Sequence, residues 1–110
     1  MDSLYNTLGG GRIGWSFWLS VHASWPFSKI EVYPDRLVVR IIFKSRILNK
    51  ADITGLQTYR LGPWLGLEIK HSIASIPKFI VFSPGRYTGL FGAYDGLVTA
   101  LTQAGYSLSD

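Results

Sequence analysis

From Lys29 to Phe43 the chain reads Lys-Ile-Glu-Val-Tyr, then Pro-Asp, then Arg-Leu-Val-Val-Arg-Ile-Ile-Phe: two alternating runs around a turn pair. With Pro34-Asp35 at the tip, Val32 faces Leu37 and Ile30 faces Val39 on one side, while Tyr33 meets Arg36 and Lys29 meets Arg40 on the other. A slip of one residue would turn Leu37, Val39, Ile41 and Phe43 to the wrong side, so the pattern itself sets the register. A chain carrying this hairpin has to build a sheet with one face buried.

How much sheet follows from the rest of the chain. A length of 110 residues suits one domain with one core, and 47% hydrophobic against 16% charged residues is a globular balance, far from disorder. Met1 to Gly11 ends in Gly9-Gly10-Gly11, read as a flexible tail, so that a single domain is expected over 12–108. Ile13, Trp15, Phe17, Leu19 and Val21 alternate with smaller or polar residues apart from Trp18, the period of a half-buried strand that Trp25-Pro26 ends; Trp15 and Phe17 then belong to the core face. After the hairpin, Arg46-Ile47-Leu48 is a short strand closed by Asn49-Lys50-Ala51-Asp52. Gly55–Leu61 and Leu67–Ser72 form a second hairpin around Gly62 to Gly66, and Lys78–Phe82 is a last strand between two prolines.

The period then changes. Leu90, Tyr94, Leu97, Val98 and Leu101 recur at helical steps, predicting an amphipathic α-helix from about Thr88 to Ala104, with Thr88 as cap and Gly105 as left-handed terminator. Three internal glycines weaken such a helix, so it has to be docked to persist. The expected fold is mainly β, an antiparallel sheet or partly open barrel of six to seven strands capped by one C-terminal α-helix.

Chemistry is sparser than architecture. There is no cysteine, which removes disulfides and thiolate chemistry, and His22 and His71 have no ligand spacing between them. No Ser-His-carboxylate order, carboxylate pair or phosphate loop is apparent, so no catalytic residues, metal or cofactor are expected and the chain is read as non-enzymatic. The Ile13–Val21 run is too short to span a bilayer and lacks the features of an export signal, which points to a cytoplasmic protein. The net charge of +4 is uneven: all but one of the Lys and Arg residues lie between Lys29 and Arg86.

Those charges supply the candidate sites. If the strand after Pro34-Asp35 runs straight on, Arg36, Arg40, Lys44 and Arg46 share its outer face and Lys29 joins them across the hairpin, a basic surface for an anionic ligand; the plainer reading is a solvated sheet face. Trp64 and Leu65, at the tip of the Gly62–Gly66 turn, and Trp18, pointing away from the core, are candidates for contact with a partner or membrane, or else fold back over the sheet. Aromatics beside cations also suit single-stranded nucleic acid, but no accompanying signature supports that ligand.

The segments Ala23-Ser24-Trp25-Pro26-Phe27, Lys29–Tyr33, Asp35–Arg40, Ala51-Asp52-Ile53 and Leu67–His71, ahead of a terminal helix, resemble small bacterial proteins of the pleckstrin-homology-like fold, over roughly Ile13 to Leu108. The resemblance implies a binding or assembly module, since members of that fold bind lipids, peptides or proteins, or simply assemble. In phosphoinositide-binding members a Lys and a close Arg-x-Arg step surround the first hairpin tip; here Lys29, Arg36 and Arg40 approximate the set, with Leu37 to Val39 between the arginines. The expectation is therefore a non-catalytic module recognising a protein, a peptide or an anionic surface, or alternatively a structural homo-oligomer that covers its sheet edges.

Overall fold

The computed structural model describes residues 5–15, 20–61, 64–84 and 93–109, with the side chains of Ser24, Trp25, Leu61, Trp64 and Ala93 excepted. Seven strands, β1 (Tyr5–Gly14), β2 (Ser20–Val32), β3 (Arg36–Ile41), β4 (Lys44–Asn49), β5 (Ile53–Leu61), β6 (Trp64–His71) and β7 (Phe79–Pro84), are followed by one helix, α1 (Ala93–Gln103). A 3-10 turn, Lys50–Asp52, joins β4 to β5. Every strand pair is antiparallel and the spatial order is β4-β3-β2-β1-β7-β6-β5, so β1 lies at the centre and β4 and β5 are the two edges. Seven strands spaced by about 4.8 Å would make a thin slab if flat. The extents of 32 × 30 × 28 Å show a sheet curled around its apolar face into a half-barrel.

The hairpin register holds residue by residue: Val32 opposes Leu37, Ile30 opposes Val39 and Lys29 opposes Arg40, and the Tyr33 amide donates to the Arg36 carbonyl at 3.0 Å. Ile30, Val32, Leu37, Val39 and Ile41 are buried on the concave side together with Leu48, Leu56, Leu67, Ile69, Ile80 and Phe82. Beside Ile41 on that side, the buried Ser28 hydroxyl has no hydrogen-bond partner among the described residues.

The expected N-terminal tail is corrected by the structure. Residues 5–14 form the central strand, and Gly9-Gly10-Gly11 is buried between β2 and β7. Glycine stands there because nothing larger fits: a Cβ on Gly9 would run into the Ser83 carbonyl oxygen, and one on Gly11 would come within 2.8 Å of the Val81 carbonyl oxygen. The expected single strand from Ile13 to Val21 is not continuous: Ile13 and Gly14 end β1, Ser20 and Val21 begin β2, and 16–19 lie outside the described residues. β1 ends at Gly14, and Trp15, assigned to the core, is 70% exposed in the bend that follows; Phe17 lies outside the described residues. Trp25-Pro26 does not end β2 but falls in the interruption of its pairing with β1, where the register jumps from Gly9–Ser28 to Gly11–Ala23. β7 likewise runs on to Pro84, opposite Gly9.

The helix closes the half-barrel as its periodicity requires. Leu97 and Leu101 are fully buried, Tyr94 nearly so, and all three belong to the same core as the concave sheet face. Thr88 and Leu90 lie outside the described residues, whereas Gly105 takes φ +91° as expected of a left-handed terminator. The helix and the chain past it are held by a series of polar contacts. Lys50 Nζ donates to the Ala104 carbonyl at 3.0 Å, at the negative end of the helix dipole, Tyr94 and Thr58 share a hydroxyl–hydroxyl bond of 2.7 Å, and the Ser109 amide donates to the Leu56 carbonyl at 2.8 Å on the edge of β5.

Tyr106 is the last of these anchors, buried and donating its hydroxyl to the Tyr33 carbonyl at 3.1 Å. Burial, reinforced by the Asp35 carboxylate and opposed by Arg36, pushes its phenol up to about 12. The folded protein thus keeps a proton that the unfolded chain, titrating near 10, has released. The resulting stabilisation is complete below pH ~10 and is lost as pH rises toward ~12. Tyr106→Phe should lower stability at pH 8 by about 1 kcal/mol for the lost hydrogen bond. It should also flatten the decline above pH 10, as read from urea midpoints of both proteins at pH 8, 10 and 11.5.

Candidate functional site

The five basic candidates do not form one surface. A two-residue turn at Ile42-Phe43 separates β3 from β4, and the pairs Ile41–Lys44, Arg40–Ser45 and Val39–Arg46 follow from it. Directly opposed residues share a face. Lys44 and Arg46 therefore stand on the concave side with Ile41 and Val39, while Arg36 and Arg40 stand on the convex side with Lys29, which corrects the straight-strand expectation. The turn carried no recognisable signal: in two-residue hairpin loops the position with positive φ is usually glycine, asparagine or aspartate. Here Ile42 holds it at φ 63°, a strained conformation for a β-branched residue.

The convex cations have partners of their own. Arg36 donates to Asp35 at 2.8 Å and stacks 4.0 Å from the Tyr33 ring centroid; Lys29 approaches Glu31 at 3.7 Å, which eases the like-charge pairing with Arg40. Arg40 is the exception, its buried Nε having no hydrogen-bond partner among the described residues. On the concave side Lys44 is exposed and Arg46 half-buried, and neither makes an ion pair or side-chain hydrogen bond among the described residues. Between them and β1–β2 lies a recess of about 310 Å³ lined by Ile13, Val21, Ile41, Ile42, Phe43, Lys44 and Arg46. Phe43 at its rim is 90% exposed and Val21 is 54% exposed.

The recess sits at the β3–β4 turn, the end of these strands opposite the Tyr33–Arg36 turn, where Lys50 bonds Asp35 and Tyr106 bonds Tyr33. That recess presents Phe43 beside Lys44 and Arg46, while Trp15 lines a separate one with Glu68, Lys70, His71, Lys78 and Phe79. Sequence reasoning found Lys44 and Arg46 but missed Phe43, Val21 and Trp15, because strand-like alternation hides residues that sit in turns or at strand ends.

Among the aromatic and apolar candidates, Leu65 lies within β6, half-buried against the core, not at a turn tip: Leu61 pairs with Trp64 and Arg60 with Leu65. The strand starts earlier than expected because Leu65, Leu67 and Ile69 form one buried alternation. Trp18 and the Trp64 side chain lie outside the described part. His71 is structural, its Nδ1 accepting from the Ile73 amide at 3.1 Å and its Nε2 bonding the Pro77 carbonyl at 2.9 Å, which closes the β6–β7 loop. Partial desolvation and the Arg12 guanidinium opposite hold His22 below the usual histidine range. Among the described residues no three His, Asp or Glu gather as metal ligands, and no helix is long and apolar enough to cross a membrane. No protein-family model, curated protein or solved structure matches this chain.

Proposed function

We propose that the protein is a non-catalytic recognition module of pleckstrin-homology-like architecture that binds an acidic protein or peptide at the recess beside its β3–β4 turn. The curled antiparallel sheet with one C-terminal helix supports the architecture. The carrying observation for the ligand is that Lys44 and Arg46 flank an apolar recess with no carboxylate partner among the described residues, while the convex cations Lys29 and Arg36 sit beside Glu31 and Asp35. Unpaired cations over an apolar floor favour a ligand that brings carboxylates and buried area together.

Phe43, exposed at the rim of the recess, favours a second reading, an anionic bilayer interface into which an aromatic wedges. Retention on immobilised polyglutamate and on phosphatidylserine vesicles separates the two. Lys44→Glu with Arg46→Glu should abolish polyglutamate retention, and Lys29→Gln with Arg36→Gln should leave most of it. Equal effects of the two pairs would remove this site from the function. Vesicle binding that depends on Phe43, without polyglutamate binding, would favour the bilayer instead.

A further inference from the structure

The two edges of the sheet are not equivalent. The edge of β5 is met by the chain itself, since Ser109 bridges in parallel to Gln57 and bonds Leu56. β4 ends the sheet on the other side, and none of the described strands pairs with its outer edge. A six-residue edge with no strand beside it among the described residues invites another strand, and a lysine on it is a common guard against self-pairing. β4 carries Lys44 and Arg46 and no acidic residue, so two copies would bring like charges together where an acidic strand would neutralise them.

Resting on the reading of an acidic ligand, we propose that the ligand is an extended peptide that adds to β4 as an eighth strand. Its side-chain pattern follows from the two faces of that strand. A residue opposite Arg46 and one opposite Lys44, two apart, fall on the concave side and are acidic. The residue opposite Ile47, which is 56% exposed on the convex side, is apolar. The recognised unit is thus apolar, acidic, any residue, acidic for a peptide antiparallel to β4, and acidic, any residue, acidic, apolar for a parallel one. Main-chain bonds to β4 supply affinity and the alternating side chains supply selectivity.

The probe is the direction-neutral peptide Thr-Val-Glu-Thr-Glu-Val-Thr, blocked at both ends, titrated by calorimetry into the full chain. Two analogues are N-methylated at alternate backbone positions, one at the odd and one at the even residues. A strand bonded along one edge uses only one of the two sets of amides. One analogue should therefore lose at least tenfold in affinity and the other far less, and Lys44→Gln with Arg46→Gln should weaken the parent peptide at least tenfold at an unchanged unfolding midpoint.

Equal losses for both analogues, or none, would overturn strand addition while leaving the acidic-ligand reading intact. The same holds if the peptide fails to bind while polyglutamate is retained through Lys44 and Arg46. Loss of both ligands would sink both. Self-association rising with concentration, removed by placing proline at Ser45, would assign the edge to a second copy and reject the peptide.

Discussion

Gly9→Ala should destabilise the protein by about 3 kcal/mol or more, and in a domain of this size should either prevent folding or lower the melting temperature by ~12 °C or more. The added methyl group would collide with the Ser83 carbonyl oxygen and approach the Pro84 Cα to 3.0 Å. Both obstacles are backbone atoms of β7, the strand hydrogen-bonded to β1, so no rotamer change relieves them. The Gly9–Pro84 and Gly9–Ser28 pairings would have to open together, separating the two halves of the sheet at its centre. Gly55→Ala is the control, because its Cβ would meet only the Lys70 side chain, at 3.8 Å. Circular dichroism melts of the two variants test the comparison, and a Gly9→Ala protein as stable as the Gly55→Ala protein would mean that β1 is not held between β2 and β7.

Leu101→Ala should cost about 2–5 kcal/mol, the range for emptying a fully buried leucine site. The loss includes a cavity term because the surroundings cannot collapse. One side of the site is a sheet already curled to fit, and the helix is tethered past its end by Lys50 on Ala104 and Tyr106 on Tyr33. Thr102→Ala, one residue on and exposed, should change stability by less than about 0.5 kcal/mol. Guanidinium unfolding of the pair measures how firmly α1 is docked. Equal midpoints would show that the helix does not contribute to the core.

The hairpin from Lys29 to Val39 was legible in full because its information is local: apolar and polar residues alternate around a turn of recognisable chemistry, and any other register exposes leucine and valine. The helix was legible for the same reason, since Tyr94, Leu97 and Leu101 mark one face at helical spacing and Gly105 marks the end. The candidate site was half legible. Lys44 and Arg46 were found by their charge, but their face was misassigned because the Ile42-Phe43 turn uses residues that normally extend a strand. Phe43 and Trp15 were hidden by the same ambiguity.

The Gly9-Gly10-Gly11 run shows where local reasoning stops. Three consecutive glycines have no periodicity, and by propensity alone they mark a flexible segment. Their use as the central strand depends on a neighbour some seventy residues away, β7, whose backbone comes so close that only a residue without a side chain can lie beside it. Alternation, turn chemistry and helical spacing determined which pieces form and which face of each is apolar, because those are properties of adjacent residues. Only the tertiary structure decided which strand is central, which edge stays open and which cations meet over the recess. Those outcomes arise from packing and curvature between segments far apart in the chain, and no window of neighbouring residues contains them.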